Sequence, residues 1–128
     1  MNLLRNMVYC ILLAALLVSS LADGATLQVS SDLQSAIDAA SSGDTLEVAS
    51  GLYDKITVEK SLTLMGNGAV IRAGGRDACV AISADNVTIS GFLVEKGFYG
   101  IKLDHVRGCK ISNNTVIYCA QPGIALLY

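Results

Sequence analysis

The chain has 128 residues and a formal net charge of −2, which is enough polypeptide for one domain. This charge balance lacks the basic surface that nucleic-acid binding needs, so we exclude nucleic acid as a partner. Twelve glycines, one proline and no tryptophan accompany many small and β-branched residues, a composition typical of short strands joined by tight turns.

Residues 1–22 have the pattern of a secretory signal peptide. Arg5 gives the positive N-terminal region, residues 7–18 are apolar, and Ser20-Leu21-Ala22 provides small residues for cleavage before Asp23. The alternative is an uncleaved membrane anchor, but this apolar stretch is shorter than the roughly 20 residues that span a bilayer. We therefore predict a secreted, periplasmic or cell-surface protein that meets the membrane only through this segment.

Residues 23–44 are predicted to form an N-terminal cap that contains one helix at about residues 31–41. Four apolar residues recur at the spacing of one helical face: Leu33, Ala36, Ile37 and Ala40. Ser31 and Gln34 fit a capping box, and Gly43 is a suitable stop after the helix. So short a helix is unstable alone and must pack on the rest of the chain.

From residue 45 to residue 128 the apolar period changes to two, and the sequence repeats itself at about 22 residues. Each repeat holds three short apolar–polar–apolar segments. The first register is Leu62-Thr63-Leu64, Val87-Thr88-Ile89 and Cys109-Lys110-Ile111; the second is Val70, Val94 and Val116; the third is Val80-Ala81-Ile82, Ile101-Lys102-Leu103 and Ile124-Ala125-Leu126. Three registers that advance together indicate a solenoid.

Three strands per repeat, separated by Gly, Asn, Asp and Ser, predict a flattened triangular coil. Strands of successive coils then stack in parallel at about 4.8 Å, with like residues above like. A leucine-rich repeat would need a longer return segment and a different leucine spacing. We predict an all-β parallel β-helix of about four coils, the first irregular, because residues 46–48 and 56–58 precede Leu62 without a clean register.

Two tracts resemble right-handed single-stranded parallel β-helix proteins of the NosD/CASH (pectin lyase-like) type. They are GDTLEVASGLYDKITVEKSLTLMGNGAVI and NVTISGFLVEKGFYGIKLDHVRGCKISNNTVIYCAQPGIAL, with their I-S-G-F and I-S-N-N turns and G-I-x-L strands. The resemblance covers about residues 27–128 and implies a right-handed coil with the helix as its N-terminal cap. Proteins that resemble this pattern include pectinolytic enzymes, alginate epimerases, copper-delivery accessory proteins and surface-layer proteins.

The resemblance also implies more coils than this sequence contains. The last apolar strand, from Ile124 to Tyr128, has nothing after it and leaves the β-helix open at its C-terminal end. An uncovered strand edge invites pairing with another chain. We expect a truncated copy of a longer protein, and the alternative is end-to-end self-association at the open coil.

Catalytic residues are not evident on the predicted outer faces. The outward positions that the repeat assigns are Glu47, Ala81, Lys102 and Ala125 on one sheet and Thr63, Thr88 and Lys110 on another. Neither set holds the two carboxylates, about 5–10 Å apart, that a glycoside hydrolase needs. Asp104 and His105, with Lys102, form the best acid–base candidate, although solvated turn residues explain them more simply.

A metal site has weaker support, and we predict no cofactor. The metal-binding residue types Cys79, Cys109, Cys119, Met65 and His105 are scattered without a ligand-type spacing. Copper would favour such ligands, but Cys109 is better explained as an inward apolar filler beside Val87. Three cysteines after the signal peptide leave at least one unpaired within the chain, and a Cys109–Cys119 bridge stays open.

Two further features are candidate surface sites. Asn86 and Asn113 begin Asn-X-Thr sequons and could accept glycans, although the alignment of Asn113 and Asn114 with Gly91-Phe92 favours a role at the corner of the coil. Phe98 and Tyr99, on a glycine-flanked loop, could stack on a sugar ring or could cover the interior of the coil.

These features favour a secreted or cell-envelope β-helix module, non-catalytic, that presents a surface to carbohydrate or protein. The enzyme alternative is a polysaccharide lyase or hydrolase fragment with its chemistry near Asp104. The metal alternative is a NosD-like periplasmic copper-delivery protein, which would bind copper through His105 or Met65.

Overall fold

The computed structural model describes residues 24–128, so the predicted signal peptide lies outside the described residues. The chain is an all-β parallel solenoid of about five turns with one short helix near its N-terminus. This confirms the predicted fold class and adds one turn to the predicted four. Within the described part, no helix has the length and apolar character needed to cross a bilayer.

Three parallel sheets form the walls of the solenoid. Sheet 1 contains β1 (Thr26–Val29), β2 (Thr45–Val48), β5 (Thr63–Gly66), β8 (Thr88–Ser90) and β11 (Lys110–Ser112). Sheet 2 contains β3 (Gly51–Asp54), β6 (Ala69–Arg72), β9 (Leu93–Glu95) and β12 (Thr115–Ile117). Sheet 3 contains β4 (Ile56–Val58), β7 (Val80–Ile82), β10 (Ile101–Asp104) and β13 (Ile124–Leu127).

The additional turn comes from β1, which precedes the helix and pairs in parallel with β2. This segment lies within the predicted cap, residues 23–44, and was not recognised as a strand because its partner β2 follows at less than the repeat spacing of about 22 residues. The helix α1 (Leu33–Ala39) interrupts the first turn and contacts β2, β3 and β4. Leu33 and Ile37 are buried in this contact, as the apolar spacing predicted.

Asp32, not Ser31, is the N-cap of α1. The Asp32 carboxylate accepts hydrogen bonds from the backbone N–H of Ser35 at 3.1 Å and from the Ser35 hydroxyl at 2.8 Å. The Ser35 hydroxyl, followed by the Ser35 backbone N–H, lowers the pKa of Asp32 below its ordinary value. Gln34 does not close a capping box: its side chain accepts from the backbone N–H of Thr57 at 2.8 Å and ties the helix to β4.

Lys60 completes the other end of α1. Its ammonium group donates to the backbone carbonyls of Ile37, Asp38 and Ala40 at 3.0, 2.6 and 2.6 Å. These are carbonyls of the last helical turn, where a cation is favoured by the helix dipole. Gly43, the predicted stop, lies beyond Ala40, which already has an extended backbone and ends the helix.

The core consists of inward-facing side chains stacked in rows along the solenoid. In sheet 1, the row Leu46–Leu64–Ile89 is fully buried, and Ile111 continues it in the last turn. Each fully buried side chain of this kind contributes roughly 1.5–3 kcal/mol. The predicted registers of sheets 1 and 3 are confirmed, and residues 46–48 and 56–58, expected to be irregular, are also in clean register.

The predicted register of sheet 2 is wrong by one residue in its first member. Ile71, not Val70, pairs with Val94, and Val70 pairs with Leu93. The chain is longer between equivalent positions here: Asn67, Gly68 and Ala69 separate Gly66 from Val70, whereas only Phe92 separates Gly91 from Leu93. Because side chains alternate across a strand, a slip of one residue exchanges the core face for the outer face.

The recurring phrases Gly-Ile-Lys-Leu and Gly-Ile-Ala-Leu begin at equivalent corners of successive turns. Gly100 precedes β10 and Gly123 precedes β13, and the N–H of Ile101 donates to the carbonyl of Gly123 at 2.8 Å. A Cβ on Gly100 would lie 2.5 Å from that carbonyl oxygen and still closer to Cγ1 of Val116. The corner therefore has no space for a side chain at Gly100.

We expect Gly100→Ala to lower the free energy of unfolding by about 1–3 kcal/mol, because the new methyl group overpacks a filled corner. Urea denaturation followed by circular dichroism measures the loss. Gly74→Ala is the matched control, since no atom lies within 4 Å of its Cβ position, and its effect should stay within about 0.5 kcal/mol. Equal effects of the two substitutions would contradict the close approach at Gly100.

Candidate functional site

Asp104 and His105 form a contact at the end of β10. The Nδ1 atom of His105 lies 2.5 Å from Oδ1 of Asp104, and the two side chains are 72% and 45% exposed. His105 has a left-handed backbone (φ 52°), and its N–H donates to the carbonyl of Leu127 at 3.0 Å. The contact thus lies at a corner that the next turn holds in place.

The surroundings of this pair contain few groups that could take part in acid–base chemistry. Lys102 lies on the outer face of sheet 3, in register with Ala81 on one side and Ala125 on the other. Thr57 is the remaining member of this outward row, so no second carboxylate belongs to it. Asp104 ends β10 and His105 is the corner residue after it, and both side chains are in contact with solvent.

Glu47, which the repeat placed beside Ala81 and Lys102, belongs to sheet 1 instead. It lies in register between Gln28 and Met65, and the Gln28 amide donates to its carboxylate at 2.5 Å. The sequence could not decide between sheets here, because the first two turns differ in length from the later ones. The correction removes the only carboxylate predicted for the outer face of sheet 3.

Sheet 2 carries a charged row that the sequence analysis missed. Asp54, Arg72 and Glu95 lie in register on its outer face, one on each of three successive strands. Glu95 follows Val94, which was correctly predicted to face inward, so the outward position of Glu95 could have been predicted from the sequence. The outward position of Arg72 could not, because Val70 had been placed one residue out of register.

Arg72 and Glu95 form an ion pair. The Nε atom of Arg72 donates to Oε1 of Glu95 at 3.0 Å, and Nη2 contacts the same oxygen. The Glu95 side chain is only 11% exposed and that of Arg72 is 41% exposed. The guanidinium therefore compensates the negative charge of a nearly buried carboxylate. We interpret the pair as structural, because Arg72 lies between the two carboxylates of the row.

Phe98 and Tyr99 lie at the corner that leads into sheet 3. Their rings pack edge to face, with centroids 4.9 Å apart and planes at 88°. The neighbouring turns fix this corner, since the N–H of Phe98 donates to the carbonyl of Asp77 and its carbonyl accepts from the N–H of Gln121, both at 2.8 Å. Both side chains are half-buried, so each presents only part of its surface to a ligand.

The sequon asparagines lie at corners on either side of sheet 1. Asn86 and Asn113 are exposed and have left-handed backbones, with φ of 57° and 55°. Asn114 has a different role: its amide donates to the carbonyl of Ile89 at 2.9 Å and accepts from the N–H of Phe92 at 3.0 Å. It thereby ties the last described turn to the turn before it.

The three cysteines of the described residues are free thiols. Cys79 is buried, and its thiol donates to the carbonyl of Glu95 at 3.2 Å. Burial raises the pKa of the Cys79 thiol, with a smaller contribution from nearby Cys119. Cys109 packs partly buried against the core, as predicted, and the open alternative of a Cys109–Cys119 bridge does not occur.

The candidate copper ligands are not brought together. Met65 lies exposed on sheet 1, whereas His105 follows the last residue of β10 in sheet 3. Within residues 24–128, no three His, Cys, Asp or Glu side chains are grouped as metal ligands would be. The described residues therefore offer no assembled site on which the copper-delivery alternative could be built.

Comparison with known proteins identifies one informative relative. The chain is 43% identical over 89 residues to a protein from Methanothermus fervidus named "Cell surface glycoprotein". The aligned segment is 66% of this chain but only 15% of the relative, so the chain spans a small part of that protein. No model of a known protein family matches the chain, and no solved structure matches it.

We expect Arg72→Met to lower the free energy of unfolding by about 1–3 kcal/mol, because it leaves the Glu95 carboxylate nearly buried without its partner. Adding Glu95→Gln should recover part of that loss in urea denaturation. Lys55→Met is the matched control, since Lys55 and Asp77 are 55% and 59% exposed and such pairs contribute about 0–1 kcal/mol. A loss in the control as large as in Arg72→Met would contradict the conclusion that the burial of Glu95 makes its ion pair the more important one.

Proposed function

We propose that this chain is a non-catalytic module of a cell-surface protein whose outer faces contact polysaccharide or protein. The observation that carries the proposal is the 43% identity, over 89 residues, to a protein named for its place on the cell surface. The predicted signal peptide at residues 1–22 supports the same location, because a surface protein must be exported.

The geometry of the solenoid supports a role in presenting a surface. Sheet 1 holds a straight outward row of short polar and cationic side chains, repeated at about 4.8 Å. The row is Thr26, Thr45, Thr63, Thr88 and Lys110. Such a face is flat and rigid, because every strand in it is hydrogen-bonded to its neighbours, and it suits an extended polymer better than a small ligand.

The contacts of the charged residues support the non-catalytic part of the proposal. Glu95 is engaged by Arg72, and Asp104 is engaged by His105 at an exposed corner. A glycosidase requires one carboxyl group as acid and a second as base or nucleophile, both facing the same sugar. Neither pair meets this requirement, so the hydrolase form of the enzyme alternative has no observation in its favour.

The finer proposal, carbohydrate binding, depends on the corner formed by Phe98 and Tyr99. Aromatic rings contribute a large apolar face with little loss of side-chain entropy on binding. The two rings are perpendicular and each side chain is half-buried, so a sugar ring would stack on the exposed part of one of them. The backbone bonds to Asp77 and Gln121 hold this arrangement ready for a ligand.

Export is the first test of the proposal. We expect the full chain, expressed in a bacterial host with a C-terminal tag, to reach the extracytoplasmic fraction and to begin at Asp23, as N-terminal sequencing would show. The same chain without residues 1–22 should stay in the cytoplasm. Recovery of the full chain from the cytoplasm with its N-terminus intact would contradict a surface location.

Binding to a glycan array tests the finer proposal. We expect Phe98→Ala and Tyr99→Ala to weaken binding of any glycan that the chain recognises by roughly tenfold, which corresponds to about 1.4 kcal/mol. Tyr118→Ala is the matched control, because Tyr118 is a 77% exposed aromatic residue at another corner. Absence of glycan binding, or equal losses in all three variants, would reduce the proposal to protein contact.

A further inference from the structure

The corner from β5 to β6 consists of the dipeptide Asn67-Gly68, and both residues are exposed. The backbone N–H of Asn67 donates to the carbonyl of Val48 at 2.9 Å and anchors the start of the corner. Within residues 24–128, neither the side-chain amide of Asn67 nor the backbone N–H of Gly68 takes part in a hydrogen bond. The amide carbon of one residue and the backbone nitrogen of the next are therefore both available for reaction.

These two groups are the reactants of asparagine deamidation, in which the backbone nitrogen of the following residue attacks the side-chain Cγ and closes a five-membered ring. A side chain on the following residue hinders this attack. Gly68 has none, and its left-handed backbone (φ 74°) is one that glycine adopts without strain. Asparagine is among the thermolabile residues of proteins, and a glycine after it is the least hindered neighbour.

Other asparagines of the solenoid are held by the fold. Asn86 precedes Val87, whose β-branched side chain is completely buried in the core and cannot move with the backbone nitrogen. Asn114 precedes Thr115, whose N–H donates to the carbonyl of Phe92 at 2.9 Å, and its own amide makes two hydrogen bonds to the preceding turn. In each case at least one of the two reacting groups is fixed in place.

From this difference we propose that Asn67 is a site of spontaneous modification, at which the folded chain deamidates without an enzyme. The backbone nitrogen of Gly68 gives up its proton and forms a bond to Cγ of Asn67. The bond from Cγ to Nδ2 breaks, and Nδ2 leaves as ammonia with that proton. One water molecule then adds to either carbonyl of the resulting succinimide and opens the ring to aspartate or isoaspartate.

Deamidation changes the charge of a groove on the outer face of sheet 1. The groove has a volume of about 280 Å³, and Gln28, Glu47 and Met65 line it together with Asn67. The new carboxylate is a second acidic group in this groove, after that of Glu47, and makes the chain one unit more negative than its formal net charge of −2. The consequence for ligand binding rests on the proposed function, whereas the reaction itself does not.

The test incubates the folded full chain at mildly alkaline pH, which favours loss of the backbone proton, and samples it over several weeks. Trypsin cleavage after Lys60 and Arg72 gives peptide 61–72, whose single asparagine is Asn67, and peptide 77–96 has Asn86 as its single asparagine. Mass spectrometry should show peptide 61–72 gaining one mass unit at least about tenfold faster than peptide 77–96, or roughly 1.4 kcal/mol in activation free energy. Equal rates, or no gain in peptide 61–72 over the zero-time sample, would overturn the inference.

A second comparison separates the effect of the fold from that of the dipeptide. The synthetic peptide 61–72 gives the rate in the absence of the fold. The folded chain should react within about tenfold of that rate, because the corner holds neither reacting group. A larger suppression in the folded chain would contradict the availability of Asn67 and Gly68.

Asn67→Gln is the matched control variant. It keeps an exposed amide but enlarges the ring that must close, so the mass gain of peptide 61–72 should disappear while urea denaturation stays unchanged. A mass gain that persists in this variant would place the reaction elsewhere in the peptide. Failure of these tests would leave the proposed function standing, since the export and glycan tests do not depend on residue 67.

Discussion

The fold depends on one packing constraint: inward side chains of each turn must lie directly on those of the turn before. Parallel pairing fixes the spacing between turns at about 4.8 Å, so a residue contacts its counterpart one repeat away rather than a distant strand. The row Leu46–Leu64–Ile89 shows the result, since all three side chains are completely buried. Residues of similar size recur at equivalent positions for this reason, and their recurrence produces the repeat in the sequence.

Differences in length between turns are absorbed at the corners. Residues 67–69 separate Gly66 from Val70, whereas Phe92 alone separates the equivalent Gly91 and Leu93, yet the strands on both sides stay in register. Left-handed backbone conformations make the sharp corners possible, at glycines such as Gly91 and at asparagines such as Asn113. The corners are therefore the parts of each turn whose length and sequence vary most between repeats, and the candidate surface sites lie there.

Adjacent corner residues divide structural and surface roles between them. Asn114 is tied to the preceding turn by two hydrogen bonds, whereas Asn113 directs its amide to solvent. Sheet 2 shows the same division, because Glu95 is held by Arg72 while Asp54 on the same row stays exposed. A solenoid can therefore vary its outer faces and corners for contact with other molecules while its core rows stay constant.

The sequence by itself determined the features that depend on a local period. These are the parallel solenoid, the registers of sheets 1 and 3, the apolar face of α1 and the inward position of Cys109. Each follows from the alternation of neighbours along a strand or helix, or from a repeat spacing that stays nearly constant.

Tertiary structure decided what depends on the length of a corner or on a partner distant in sequence. The extra turn at β1, the place of Ile71 in the core and the Arg72–Glu95 pair all required knowledge of which strands meet. The choice of Asp32 over Ser31 as N-cap is also of this kind, because packing on β4 fixes where α1 begins. The apolar period of the sequence specifies which residues face inward. Only the folded solenoid specifies which residues of the neighbouring turns each of them contacts.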